Sequence, residues 1–121
     1  MVLLSKVLIA LVAFEHLYIL WIEMFAWETK GKKTFKGSMA PELFKPTKVL
    51  AANQGLYNGF LAAGLIWSLL ISDPEWQRNV AFFFLGFIAI AGIYGALTAS
   101  KKIFFVQGLP AILTVIALML T

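Results

Sequence analysis

An all-α polytopic membrane four-helix bundle is the fold class predicted by three features of this sequence. Apolar residue types make up 61% of the chain and charged types only 13%, against about 25% charged in soluble domains. The apolar residues fall into four long runs separated by short polar stretches. The chain has only 121 residues, and a soluble domain of that size has too much surface to hide so much apolar material. Lipid removes that problem.

The first predicted span runs over about residues 2–27 and the second over 49–71. The third runs over 80–98 and the fourth over 103–121, all within a single transmembrane domain, 1–121. Each has roughly the 20 residues needed to cross a hydrocarbon core about 30 Å thick. Backbone groups have no water to pair with in lipid, so spans of this length must be helical. The start is not expected to be a cleavable signal peptide. Glu15 and His16 follow the first apolar stretch without a small-residue cleavage pattern, and the apolar run then resumes.

The connections agree with this division. Residues 28–48 form a polar loop carrying Lys30, Lys32, Lys33, Lys36, Lys45 and Lys48. Ser38–Phe44 has the makings of a short interfacial helix, although Pro41 and Pro46 limit it. Asp73-Pro74-Glu75 reads as a helix start: an Asp cap, Pro at the first helical position, and Glu at the positive end of the dipole. Ser100-Lys101-Lys102 is tight enough to make spans three and four antiparallel neighbours.

Charge sets the expected orientation. The first and third connections hold eight of the ten Lys and Arg residues, leaving Lys6 and Arg78 on the other side. The positive-inside bias puts these two connections in the cytoplasm, with both termini and residues 72–79 outside a cell membrane. The net charge of +4 is thereby assigned to topology and to anionic headgroups of the lipid bilayer, not to nucleic acid.

Ionisable groups are costly at mid-membrane, by about 2.5–3.5 kcal/mol or more, so they normally face a bundle interior and mark a functional site. Span one contains Glu15, His16 and Glu23. His16 and Glu23 lie about 20° apart around a helix, on one stripe with Leu20 and Trp27. Span two contains Asn53, Gln54, Tyr57 and Asn58. Asn53 and Tyr57 share one face, as do Gln54 and Asn58. Gly55 and Gly59 form a small-xxx-small pattern that admits a neighbouring helix closely. Span three adds Tyr94, Gly95 and Thr98, and span four adds Gln107 shortly before a helix-kinking Pro110.

Helical rise places these groups in the cytoplasmic half. His16 lies about 16 Å and Asn58 about 13 Å from the cytoplasmic ends of their spans. The outer half is almost purely apolar, as in Leu61–Leu70 and Ile112–Leu120. The expectation is a polar pocket open to the cytoplasm, with Glu15, His16, Glu23, Asn53, Gln54, Tyr57, Asn58, Tyr94 and Gln107 as ligand-binding residues. His16 is placed to stabilise a charged carboxylate or to exchange its proton.

No metal and no cofactor are expected. Cysteine is absent and there is one histidine, which excludes disulfide scaffolds, cysteine–zinc sites, iron–sulfur clusters and a bis-histidine haem within one chain. No nucleotide-binding loop or nucleophile motif is visible. Three functions remain open. The first is binding or transport of a small polar or cationic ligand by a chain short enough to need a homo-oligomer. The second is a membrane enzyme using Glu/His acid–base chemistry on a lipid-like substrate. The third is a structural or accessory subunit.

The motifs Glu15-His-Leu-Tyr-Ile, Glu23-Met-Phe-Ala-Trp27, Asn53-Gln54-Gly-Leu-Tyr57-Asn58-Gly59, Gly92-Ile-Tyr-Gly95 and Gln107-Gly-Leu-Pro110 resemble a family of small bacterial membrane proteins, domain of unknown function 1304. The resemblance covers almost the whole chain and implies a four-helix membrane protein. A weaker likeness is to the small multidrug resistance transporters, which have similar length, four helices and a glutamate in the first span, here Glu15. His16 and the amide-rich second span depart from that pattern.

Overall fold

The computed structural model describes residues 1–121, and the chain is helical with no strand. Four long helices dominate. Helix α1 is Leu3–Phe25, α2 is Lys48–Leu70 and α3 is Pro74–Thr98. Helix α4 is Lys101–Leu120 and contains one wide turn. Helices α1, α3 and α4 are long and apolar enough to cross a membrane. At 23 residues α2 has the length, but Asn53, Gln54 and Asn58 make its first half much less apolar.

Local chemistry explains the helix ends. Ala26 leaves helical geometry at φ −136° and ψ 27°, which stops α1. The apolar run continues to Trp27, but that side chain is used by the following loop. The Asp73 carboxylate accepts from the N–H groups of Glu75 at 2.9 Å and Trp76 at 3.4 Å, capping α3 with Pro74 in its first turn. Helix α3 is therefore one continuous element from Pro74 onward, longer than the apolar run that begins near Val80. Ser100 caps α4 by accepting from Lys102 N–H at 3.2 Å. Phe104–Gly108 then widens into a π turn, in which Leu109 N–H bonds back to the Phe104 carbonyl. The wide turn ends two residues before Pro110, which has no N–H to offer an ordinary helical turn.

The loop between α1 and α2 is a chain of short turns: Trp27–Gly31, Lys32–Thr34 and Pro41–Leu43. The interfacial helix expected over Ser38–Phe44 is reduced to the single turn at Pro41–Leu43. Gly37 has φ +89°, a left-handed conformation that suits glycine, and lies between the bridged residues Lys36 and Met39.

Contacts divide the chain into two compact units, and α1 and α2 each run through both. The first comprises Met1–Ala13 and Ala63–Thr121. There α3 and α4 pack closely: a Cβ at Gly92 would stand 2.5 Å from the Gly108 Cα. Gly64 of α2 lies against the Phe84 ring of α3. The two ends of the chain meet where the Ser5 and Thr121 hydroxyls stand 3.4 Å apart. Ile9, Leu65, Leu85, Ile88 and Leu118 are fully buried. The buried hydroxyls of Ser68 and Thr114 donate to carbonyls of their own helices, those of Leu65 and Pro110.

The second unit is Phe14–Ala62. It holds the later part of α1, the lysine-rich loop and the first part of α2. Trp27 closes it. Its indole N–H donates to Thr47 Oγ1 at 3.1 Å, and its ring lies 4.9 Å from Phe44 and 5.7 Å from Phe35 between centroids. Lys48 and Glu28 pair beside it at 3.7 Å. Large apolar side chains cover the outside of both units, with Val49 and Leu97 each 81% exposed.

Candidate functional site

The site is built where α1 and α2 touch within the second unit. Gly55 makes the approach: a Cβ there would stand 2.8 Å from Met24 Cγ, 2.9 Å from Glu23 Cβ and 3.2 Å from the Leu20 carbonyl oxygen. One turn on, a Cβ at Gly59 would meet Leu20 Cδ1 at 2.5 Å. The small-xxx-small pattern of α2 is therefore the face that receives α1, as its spacing predicts.

That contact decides which amide enters the interior. Asn58 lies near the Gly55–Gly59 face and is buried. Its side-chain N–H donates to Glu23 Oε1 at 2.7 Å, a buried hydrogen bond. A second donation goes to the Gln54 backbone carbonyl at 3.3 Å, within α2. Gln54 and Asn58, expected on one face of the helix, are thus linked through the Gln54 backbone carbonyl.

His16 is fully buried, on the same stripe of α1 as Glu23. The intervening Leu20 is half-buried, whereas Trp27, expected on the same stripe, lies past the end of α1 because Ala26 leaves helical geometry. His16 Nδ1 and Glu15 Oε1 are 4.0 Å apart, within reach of charge attraction but too far for a hydrogen bond. Glu15 Oε1 is buried and has no hydrogen-bond partner, while the side chain as a whole is 28% exposed. The carboxyl therefore lies at the edge of the interior with one oxygen turned inward.

The remaining predicted residues are placed differently. Asn53, Gln54 and Tyr57 are exposed on α2. Tyr94 is 68% exposed on α3, and Gln107 is half-buried in the wide turn of α4. Tyr94 and Gln107 belong to the other compact unit. The groups brought together are thus Glu15 with His16, and Glu23 with Asn58. Sequence reasoning missed the Trp27–Thr47–Phe44 closure beside them. The only signal for it was an aromatic residue just past the end of α1 and a threonine just before α2.

The comparisons agree with the motifs. The family model described as Protein of unknown function (DUF1304) matches residues 10–119. The chain is similar to the protein named Uncharacterized protein YpaA from Lactococcus lactis subsp. lactis (strain IL1403). The two are 36% identical over 125 residues, covering 97% of this chain and 98% of that one. No solved structure matches the chain. A match over nearly the whole length makes this chain a member of the DUF1304 family.

Proposed function

We propose that this chain is a four-span integral membrane protein that binds a small polar or cationic molecule at Glu15, His16 and Glu23, as a binding or transport protein. The observation that carries the reading is the inward oxygen of Glu15, buried and unpartnered beside a fully buried imidazole. A buried acceptor with no donor calls for an explanation, and ionisable groups inside a membrane mark binding or proton-transfer sites by default. A cation, a proton or a ligand N–H supplies what Glu15 lacks. Asn58 holds Glu23 in place, and the bound group sits among these side chains.

Helix α2 is read as the fourth span because its length matches the others. The protein contact at Gly55 and Gly59 takes up Asn58 of its polar half and leaves Asn53 and Gln54 outward. The meeting of Ser5 and Thr121 supports two chain ends on one side. The positive-inside bias assigns the lysine-rich connections to the cytoplasmic side.

The reading is tested on the purified full chain in mild detergent by thermal shift with guanidinium, choline and putrescine. Saturation at about 100 times Kd adds about 2.7 kcal/mol to stability. At least one of these cations should raise Tm of the wild type and leave Glu15→Gln unmoved. Equal shifts in both proteins, or no shift with any of the three, would overturn the reading.

A structural or accessory role is the second reading, and the Glu23–Asn58 bond favours it. Those two groups satisfy each other within the chain and need no ligand. The same screen separates the readings, since a purely structural polar pair gives no cation response.

A further inference from the structure

We propose that the exposed face of the first half of α2 is a self-association surface, and that its occupant is the same face of a second copy of this chain. The inference rests on the reading of α2 as a membrane span.

Asn53, Tyr57 and Phe60 lie along one side of α2, and all three are exposed. Gln54 is exposed at the edge of the same side. Asn53 lies five residues past Lys48, about 7.5 Å along the axis. A helix of 23 residues is about 34 Å long, a little more than a hydrocarbon core of about 30 Å. Asn53 is therefore roughly 5 Å inside the hydrocarbon boundary by the same rise, and Tyr57 one turn deeper.

The chain supplies no hydrogen-bond partner to the side-chain amides of Asn53 and Gln54. Lipid tails supply none either, so these groups need protein. The exposed face of α3 is different in kind. Phe83, Phe87 and Ile90 are exposed there, and each is at home in lipid.

A second copy is the occupant that answers this need without further assumption. An amide is both donor and acceptor, so two copies of Asn53 facing each other across a two-fold axis satisfy one another. The lysine bias gives each copy the same orientation, which brings the two amides to the same depth. A two-fold interface is self-complementary by construction. Tyr57 and Phe60, packed edge to face at 5.7 Å, supply the aromatic surface around the paired amides.

The absence of cysteine makes a direct test simple. The full chain carrying Phe60→Cys, and separately Phe83→Cys, is placed in phosphatidylcholine–phosphatidylglycerol vesicles and oxidised with iodine. Both positions are exposed, so neither change alters the interior. Phe60→Cys should give a covalent dimer and Phe83→Cys should not. Adding Asn53→Leu should lower the dimer yield at Phe60→Cys by about fivefold or more, whereas Asn53→Gln should keep it within about twofold. A dimer through Phe83→Cys alone, or a yield indifferent to Asn53→Leu, would overturn the pairing. Alkaline carbonate extraction separates the two layers of the inference. Release of the chain from the vesicles overturns the membrane reading. Retention without a Phe60→Cys dimer overturns the pairing alone.

Discussion

The Asn58 side-chain amide donates to Glu23 Oε1 across 2.7 Å, and this bond ties α1 to α2 through two buried polar groups. In Asn58→Leu the Glu23 carboxyl loses its donor while staying buried. The expected cost is about 1–3 kcal/mol, the penalty for a buried group left unsatisfied. Glu23→Gln keeps an acceptor oxygen for Asn58 and should cost less than about 1 kcal/mol by the same reasoning. A double-mutant cycle read by thermal unfolding in detergent should give a coupling of about 0.6–1.7 kcal/mol, the range for bonds between membrane helices. A coupling near zero would mean that the pair does not hold the helices together.

The glycines that set the helix contacts should rank by what their neighbours can yield. Gly92→Ala places a Cβ 2.5 Å from the Gly108 backbone, which cannot rotate away. Gly55→Ala meets side-chain carbons at 2.8 and 2.9 Å and a carbonyl oxygen at 3.2 Å. Gly59→Ala meets only the tip of Leu20. Overpacking costs about 1–3 kcal/mol. Gly92→Ala should reach the top of that range, with Gly55→Ala next and Gly59→Ala the mildest. Loss of Tm in detergent measures the order, and a Gly59→Ala protein less stable than Gly92→Ala would contradict it.

Trp27→Phe removes the indole donor to Thr47 and keeps a ring between Phe35 and Phe44. The expected loss is about 0.5–1.5 kcal/mol, the net worth of one hydrogen bond. The lysine-rich loop should then open more readily, seen as faster proteolysis after Lys30 or Lys36. Thr47→Val should match Trp27→Phe, and the double variant should be no worse than either alone. Simple addition of the two effects would show that Trp27 and Thr47 act separately.

Orientation can be read with single cysteines, since the chain contains none. Ser38→Cys and Glu75→Cys both fall at exposed positions. In intact cells a membrane-impermeant maleimide should label Glu75→Cys at once and Ser38→Cys only after permeabilisation. The opposite pattern would invert the topology.

Much of the helical framework was legible in the sequence because its signals are local. Asp73-Pro74-Glu75 marks the start of α3, and the structure uses the Asp73 carboxylate as the cap. The end of α1 was less legible. Hydrophobicity continues through Trp27, while the helix stops at Phe25 because Trp27 is drawn toward Thr47 and Phe44, twenty and seventeen residues away in sequence. The wide turn at Phe104–Gly108 was visible only as Pro110, which says that a helical bond is missing but not how the backbone adjusts.

Composition and periodicity alone determined that this chain forms long apolar helices and places Glu15, His16 and Glu23 on α1 and Asn53, Gln54 and Asn58 on α2. Those properties follow from residue type and the helical repeat, and need no knowledge of neighbours. Which amide meets Glu23 was decided by tertiary structure. Asn53, Gln54 and Asn58 are near-equivalent in chemistry and differ in angle around α2 and in height along it. The close contact at Gly55 sets that angle, turning Asn58 inward to Glu23 and leaving Asn53 and Gln54 outward. A sequence specifies the spacing of groups around a helix, but the rotation of that helix against its neighbour comes from packing.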